Sequence, residues 1–124
     1  MICYTASPMR GIPHFSFPQL DAARDALTDM GHEVISPADL DRAAGFDAME
    51  LPEDYDWDSP PDKFDLQDCI RRDIEAVLDA DAIVLLPGWR ASTGVQAELA
   101  VAKWAGKKVY EWVENRLRYS EENV

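Results

Sequence analysis

One apolar run, AIVLLP at residues 82–87, constrains the fold of this chain more than any other segment. A continuous run of this kind is typical of a central strand in a parallel sheet, because such strands are buried on both faces. After a short turn, residues 94–106 are predicted to form a helix that ends at Gly106. Parallel strands need crossover connections, which are usually helices, so the two segments together predict a strand–helix unit.

The other segments alternate in the same way. Short strands are predicted at 2–5, 32–36 and 107–113, helices at 17–31 and 65–79, a helical turn at 37–43, and a short helix or tail at 114–124. This order predicts an α/β fold, a doubly wound parallel sheet of four to five strands with helices on both faces, similar to flavodoxin and Rossmann folds. Ligands of such sheets bind beyond the carboxyl ends of the strands, here at residues 4–11 and 87–94.

The chain is predicted to be a single domain over residues 1–124, with an acidic, proline-containing loop at 44–65. Phe46, Tyr55 and Trp57 distinguish this loop from a disordered linker, which normally lacks aromatic residues. Two interpretations stay open. The segment either covers a bound substrate, or it is a solvated excursion of the surface.

Charge and composition exclude several classes of protein. A net charge of −12 repels the phosphates of DNA and RNA, so no nucleic-acid partner is expected. No apolar run approaches the roughly 20 residues that cross a bilayer, and the N-terminus does not resemble a secretory signal, so we expect a cytoplasmic protein without a membrane partner. The two cysteines do not form a CxxC pair and the two histidines are far apart, so neither a zinc site nor a cofactor is expected, although abundant carboxylates leave Mg²⁺ open.

Glu98 is the first candidate for chemistry. It lies on the same predicted helix face as Val95, Ala102 and Ala105, near the start of the helix. A carboxylate on an inward face is costly to bury unless it is paired or used in a reaction, with a structural role as the alternative.

Asp73 and Tyr4 are weaker candidates. Asp73 flanks a helix face that is predicted to bury Ile70, Ile74 and Val77, so periodicity alone favours a solvated charge. Two carboxylates that converge on one crevice suit the cleavage of a glycosidic bond. Tyr4 closes the first strand, where its hydroxyl could orient a carboxylate.

An anion site is predicted at the start of the helix at 94–106. Ser92 is a suitable N-cap ahead of Gly94, and free N–H groups at a helix start bind phosphate. Arg10, in the loop after the first strand, is a second candidate contact.

Three motifs in order resemble the nucleoside 2-deoxyribosyltransferase-like superfamily, which includes nucleotide N-glycosidases and short phage and bacterial proteins. They are the opening ICYTASPMRG, the segment RRDIEAVLDADAIVLLPG, and the spacing Ser92, Gly94, Glu98, and they cover most of the chain except 44–65. The resemblance implies that Glu98 is the nucleophile, that Asp73 protonates the base and that Tyr4 orients the nucleophile. Ser7 departs from the family's usual glycine.

The resemblance also implies a substrate. Family members that act on nucleosides commonly have an aspartate at the position of Ser92, whereas related nucleotide hydrolases have a serine that binds the 5′-phosphate. We therefore expect Ser92, Gly94, Arg10 and Gly11 to bind substrate. A flat aromatic ring can stack on a base, and Trp57 or Trp89 is expected to supply it. The predicted partners are a small-molecule nucleotide or nucleoside and further copies of the chain, as a homodimer or higher homo-oligomer.

The resulting hypothesis is cleavage of the N-glycosidic bond of a (deoxy)nucleoside 5′-monophosphate through a covalent glycosyl–Glu98 intermediate. A base-exchanging deoxyribosyltransferase and a non-catalytic nucleotide-binding module are the alternatives, and a purely structural protein is the least favoured. The sequence leaves open the base, the sugar and the acceptor.

Overall fold

The computed structural model describes residues 1–56 and 64–120. Within these ranges the chain forms strands β1 (Ile2–Ala6), β2 (Glu33–Ile35), β3 (Ala82–Leu85), β4 (Lys108–Val113) and β5 (Arg116–Tyr119), and helices α1 (Phe17–Asp29), α2 (Pro37–Ala43), α3 (Leu66–Asp79) and α4 (Thr93–Trp104). None of the helices in this part of the chain combines the length and the apolar character that crossing a membrane requires.

Local signals in the sequence set the helix boundaries. Asp65 caps α3 by accepting a hydrogen bond from the backbone N–H of Asp68 (3.2 Å), and Ser36 caps α2 in the same manner. Helix α1 has Pro18 in its first turn and ends before Gly31, whose φ of 92° lies in the left-handed region that favours glycine. These caps reproduce the helix limits predicted from sequence to within two residues.

The sheet has the strand order β2-β1-β3-β4-β5. Strands β1 to β4 pair with one another in parallel, and β3 lies at the centre with every residue buried. The prediction of an α/β fold with a parallel sheet and helices on both faces is therefore confirmed, with one antiparallel edge strand added.

The short helix or tail predicted at 114–124 is wrong for residues 116–119. These residues form β5, which pairs antiparallel with β4 through Trp112 and Leu117. The two strands are joined at Glu114 and Asn115, whose φ angles of 51° and 59° are those of a two-residue hairpin turn. Such turns usually contain glycine, and its absence concealed the hairpin. Residues 121–124 lie outside the described part of the chain.

The two faces of the sheet are covered by different helices. Helix α1 covers one face, with Phe17, Leu20 and Leu27 in its core, whereas α3 and α4 cover the other with Val77, Val95 and Leu99.

The predicted buried face of α3 is rotated relative to the observed one. Ile70 is 51% exposed, and Ile74 is only partly buried. The buried positions are Cys69, Ala76 and Val77, which puts Asp73 on the inward side. Ala105, predicted to be on the inward face of the next helix, is exposed.

The segment at 44–65 is partly integrated into the core. Phe46 is buried and packs edge-on against Phe15 and Phe64, with ring centroids 6.2 and 5.5 Å away. Trp57 lies outside the described residues. Phe46 is therefore a core residue rather than part of a surface loop.

Candidate active site

A cavity of about 770 Å³ opens beyond the carboxyl ends of β1 and β3, between the first turns of α3 and α4. This is where ligands of parallel α/β sheets bind. Its lining comes from both predicted loops and from three helices: Ser7, Pro8, Met9, Arg10, Ile12, Phe15, Asp41, Phe64, Leu66, Cys69, Ile70, Asp73, Ile74, Ala91, Ser92, Thr93, Gly94, Val95, Ala97 and Glu98.

Tyr4 and Glu98 meet at the floor of this cavity. Tyr4 is fully buried on β1, and its hydroxyl donates a hydrogen bond to Oε2 of Glu98 on α4. Burial raises the pKa of Glu98 to about 7, while the bond from Tyr4 acts in the opposite direction. Burial and the nearby carboxylates hold the pKa of Tyr4 well above its usual value, so this hydroxyl stays a donor.

Asp73 faces the same cavity from α3. Its Oδ1 is buried and has no hydrogen-bond partner among the described residues. Burial, followed by the charges of Glu98 and Asp41, raises the pKa of Asp73 to about 8, against the opposing effect of Arg72. A carboxyl group in this environment keeps its proton at neutral pH and can donate it to a ligand.

Asp41 is a third carboxylate in the cavity, and the sequence reasoning missed it. Its Oδ1 accepts hydrogen bonds from Nη2 of Arg72 (3.2 Å) and from Sγ of Cys69 (3.6 Å). Burial raises the pKa of Asp41, and Arg72 opposes this rise. A signal was present, because Pro37, Ala38 and Asp41 follow the spacing of one buried helix face.

The thiol of Cys69 is not a reactive group. Burial and the charge of Asp41 raise its pKa to about 12, so the nucleophilic thiolate is not formed at neutral pH.

The start of α4 forms the opposite end of the cavity. Ser92 Oγ accepts a hydrogen bond from the backbone N–H of Val95 (3.2 Å), which confirms it as the N-cap. Thr93 and Gly94, whose N–H groups have no partner within the helix, belong to the cavity lining. Arg10 is exposed and lines the same cavity.

One side chain bridges the two loops that flank the cavity. Gln19 Nε2 donates to Ser7 Oγ (3.0 Å) in the loop after β1 and to the carbonyl of Pro87 (3.5 Å) after β3. Ser7, at the family's usual glycine position, also shares a hydrogen bond with Ser16 (2.9 Å). His14, Phe15 and Ser16 have left-handed φ angles of 52°, 55° and 63°, and this unusual turn places Phe15 on the cavity wall.

Two predicted substrate contacts do not line this cavity. Trp89 is buried in the core beneath α4, with the Arg90 guanidinium 4.7 Å from its ring centroid, and it faces a separate depression of about 470 Å³. Its expected role in stacking on the base has no support from this position, since its apolar ring is used in packing. Gly11 is exposed beside Arg10 and has a φ of 83°.

The described part of the chain contains no group of three or more His, Cys, Asp or Glu side chains arranged to hold a metal ion. Tyr4, Asp73, Glu98, Ser92, Gly94 and Arg10 all belong to one site, because the Tyr4 hydroxyl contacts Glu98 and the other five line the cavity.

The fold is also that of a known enzyme. A 2-deoxyribosyltransferase from the psychrotolerant bacterium Bacillus psychrosaccharolyticus superposes with a TM-score of 0.59 and 21% sequence identity, over 90% of this chain and 71% of that one. At this identity the likeness shows the fold alone.

Comparison with curated proteins finds no match to this chain. Residues 1–111 match the model of a family described as "Domain of unknown function (DUF4406)". Because this match spans most of the 124 residues, the chain belongs to the DUF4406 family.

Proposed function

We propose that this chain is an enzyme that cleaves the N-glycosidic bond of a (deoxy)nucleoside 5′-monophosphate, with Glu98 as nucleophile. The observation that carries the proposal is the pairing of Glu98 with the Tyr4 hydroxyl in a cavity that also holds the unpartnered Oδ1 of Asp73. Two carboxyl groups with separated pKa values, one to attack and one to protonate, are what glycosidic cleavage requires.

The hydrogen bond from Tyr4 supports the assignment of the two roles. Burial raises the pKa of both groups, but the bond from Tyr4 favours the ionised form of Glu98, whereas the charge of Glu98 adds to the rise in the pKa of Asp73 and favours its protonated form. Ionised Glu98 attacks C1′, the C1′–N bond breaks with its electron pair on the base, and the proton of Asp73 passes to the base. Water then attacks C1′, Asp73 takes a proton from this water, and the ester bond to Glu98 breaks.

The start of α4 supports the choice of a 5′-monophosphate. The N–H groups of Thr93 and Gly94 and the hydroxyl of Ser92 present donors to the cavity at the positive end of the helix dipole. Arg10 adds a full positive charge on the same wall. Acidic residues at these positions would repel a phosphate dianion, and none is present in 91–95.

The cavity walls support a flat, apolar ligand part such as a nucleobase. Phe15, Phe64, Ile70 and Ile74 provide apolar lining around the carboxylates. Of the segment predicted to cover the base, Phe64 is the described aromatic residue that lines the cavity. Such walls limit the water near a glycosyl intermediate and so affect whether water or a second base resolves it.

Replacement of Glu98 by Gln tests the proposal. Purified protein is incubated with each common ribo- and deoxynucleoside 5′-monophosphate, and released base is measured by chromatography, with and without an added second base. We expect release by the parent protein and a loss of at least ~10³-fold in Glu98→Gln, because the amide cannot form the ester. Glu75→Gln, an exposed change on α3, is the matched control and should retain activity.

Each outcome of this experiment has a distinct meaning. Release of base only into water identifies a glycosidase, and formation of a new nucleotide with the added base identifies the transferase alternative. Binding without release identifies the nucleotide-binding module and contradicts the proposed chemistry, as does unchanged turnover in a folded Glu98→Gln variant.

A further inference from the structure

The proposed reaction does not use Asp41, although this residue lies in the same cavity. Its side chain is only 4% exposed, and it is held on two sides by Arg72 and Cys69. Both contacts are made to Oδ1, and among the described residues Oδ2 accepts no hydrogen bond. Because Asp41 belongs to the cavity lining, the oxygen that neither Arg72 nor Cys69 contacts is available to a hydrogen-bond donor of a ligand.

Asp41 also lies close to the proposed proton donor. Cys69, which contacts Asp41, precedes Asp73 by four residues on α3, so the two side chains are neighbours on one helix face. The Asp41 carboxylate therefore contacts the residue one helical turn before Asp73, and its charge acts on Asp73. Burial raises the pKa of Asp41, and its ion pair with Arg72 opposes this rise and favours the ionised form.

The two carboxyl groups differ in hydrogen-bonding character. Protonated Asp73 presents an O–H donor, whereas ionised Asp41 presents an acceptor in the same cavity. This donor–acceptor pair is complementary to a base edge with an unprotonated ring nitrogen beside an exocyclic amine. Cytosine has N3 beside its N4 amine, and adenine has N7 beside its N6 amine.

The corresponding oxo bases present the wrong pattern. Uracil has N3–H and O4 where cytosine has N3 and the amine, so its N–H would face the Asp73 proton and its carbonyl would face the Asp41 carboxylate. Hypoxanthine likewise presents O6 in place of the amine of adenine. A site whose buried polar groups are left unpaired by an analogue rejects that analogue strongly.

We propose that Asp41 is a specificity-determining residue that selects nucleotides with an amino-substituted base, cytosine or adenine, over their oxo counterparts. The proposal rests on the proposed function for the orientation of the base toward Asp73. It assigns to the Asp41–Arg72–Cys69 cluster a role in recognition rather than in bond cleavage.

Matched pairs of nucleotides test this inference. Affinity is measured by calorimetry on the Glu98→Gln protein, which separates binding from turnover, with deoxycytidine against deoxyuridine 5′-monophosphate and adenosine against inosine 5′-monophosphate. We expect the amino member of at least one pair to bind more tightly by on the order of tenfold or more, as for a hydrogen bond to a charged group. Equal affinity within both pairs, preference for the oxo members, or no binding of any of the four overturns the inference.

Asp41→Asn in the same background identifies the residue responsible. The amide can accept from an amine or donate to a carbonyl, so the amino preference should fall to near unity or reverse. Asp39→Asn, on the same helix but paired with Arg24 and Arg42 at the surface, should leave the ratio unchanged. An unchanged amino-to-oxo affinity ratio in a folded Asp41→Asn protein contradicts the assignment. If the Asp41→Asn protein does not fold, the affinity ratio of the Glu98→Gln protein decides whether the site prefers amino-substituted bases.

Failure of this inference and failure of the proposed function remain distinguishable. Absence of base release by the parent protein ends the glycosidase proposal, even if the amino preference in binding is found. Base release without an amino preference ends only the role of Asp41.

Discussion

Glu98 and Asp73 are buried carboxyl groups that interact with each other, and the Tyr4 hydroxyl distinguishes them. Tyr4 donates to Glu98 and partly offsets the effect of burial on its pKa, whereas Asp73 Oδ1 has no donor and is also raised by the charge of Glu98. The surroundings of the two side chains therefore favour an ionised Glu98 beside a protonated Asp73.

The pH dependence of activity follows from this difference. We expect kcat/KM to rise as Glu98 ionises near pH 7 and to fall as Asp73 ionises near pH 8, with the two apparent values belonging to the coupled pair. Tyr4→Phe removes the bond that lowers the pKa of Glu98 and should move the rising limb to higher pH. Asp73→Asn should remove the falling limb and reduce activity by about 10²–10⁴-fold. A rate profile that is flat between pH 6 and 9 would contradict these assignments.

At the scale of elements, α4 carries two parts of the proposed site in its first two turns. Thr93 and Gly94, whose N–H groups have no partner within the helix, line the cavity, and Glu98 follows one turn later on the inward side. A Cβ built on Gly94 would meet only Ser92 Oγ, at 3.9 Å, so a methyl group fits here without a protein clash. The space beside Gly94 is therefore available to a ligand.

Gly94→Ala should separate folding from phosphate binding. Alanine is favoured over glycine in a helix by roughly 0.5–1 kcal/mol, so we expect equal or higher thermal stability. Because the methyl group occupies the proposed phosphate position, the preference for a nucleoside 5′-monophosphate over the nucleoside should fall.

Arg10→Ala should reduce the same preference for the 5′-monophosphate by about tenfold or more. Lys103→Ala, at the other end of α4, is the control, and a parent that prefers nucleosides would refute the phosphate assignment.

At the scale of the whole molecule, the raised pKa values are a cost to stability. The folded chain keeps protons on Asp73 and Glu98 up to about pH 8 and 7, whereas the unfolded chain releases them near 3.8 and 4.5. The native state therefore binds more protons than the unfolded state in this window, and stability falls as pH rises through it.

Asp73→Asn should remove part of this dependence. We expect its melting temperature to match the parent near pH 4 and to exceed it by several degrees above pH 8, since ~1 kcal/mol corresponds to roughly 4 °C in a domain of this size. Asp79→Asn, an exposed change on the same helix, should follow the parent at every pH. If the melting temperatures of Asp73→Asn and the parent change with pH by the same amount, Asp73 is not buried in its protonated form.

The homo-oligomer predicted from the resemblance stays a prediction. Trp104 on α4 is 91% exposed, so its substitution is a suitable test of self-association.

The sequence by itself determined the elements and much of the candidate site. The run at 82–87, the caps at Ser92 and Gly31, and the inward spacing of Glu98 are local signals, and a strand or helix obeys such signals wherever it is packed. The parallel order of strands then placed the loops after β1 and β3 at one edge, so Arg10 and Ser92 could be assigned to one cavity.

Only the tertiary structure decided what lies across from each face. Periodicity in α3 favoured Ile70 as buried, but the contact with α2 turns Cys69 and Asp73 inward and brings Asp41 to them. The sequence predicts that Trp89 stacks on the base, but in the structure its ring packs in the core beneath α4, which no periodicity in its loop indicates. The reason is physical: residue spacing fixes which side chains share a face, whereas burial, pKa and pairing depend on the neighbouring elements that cover that face.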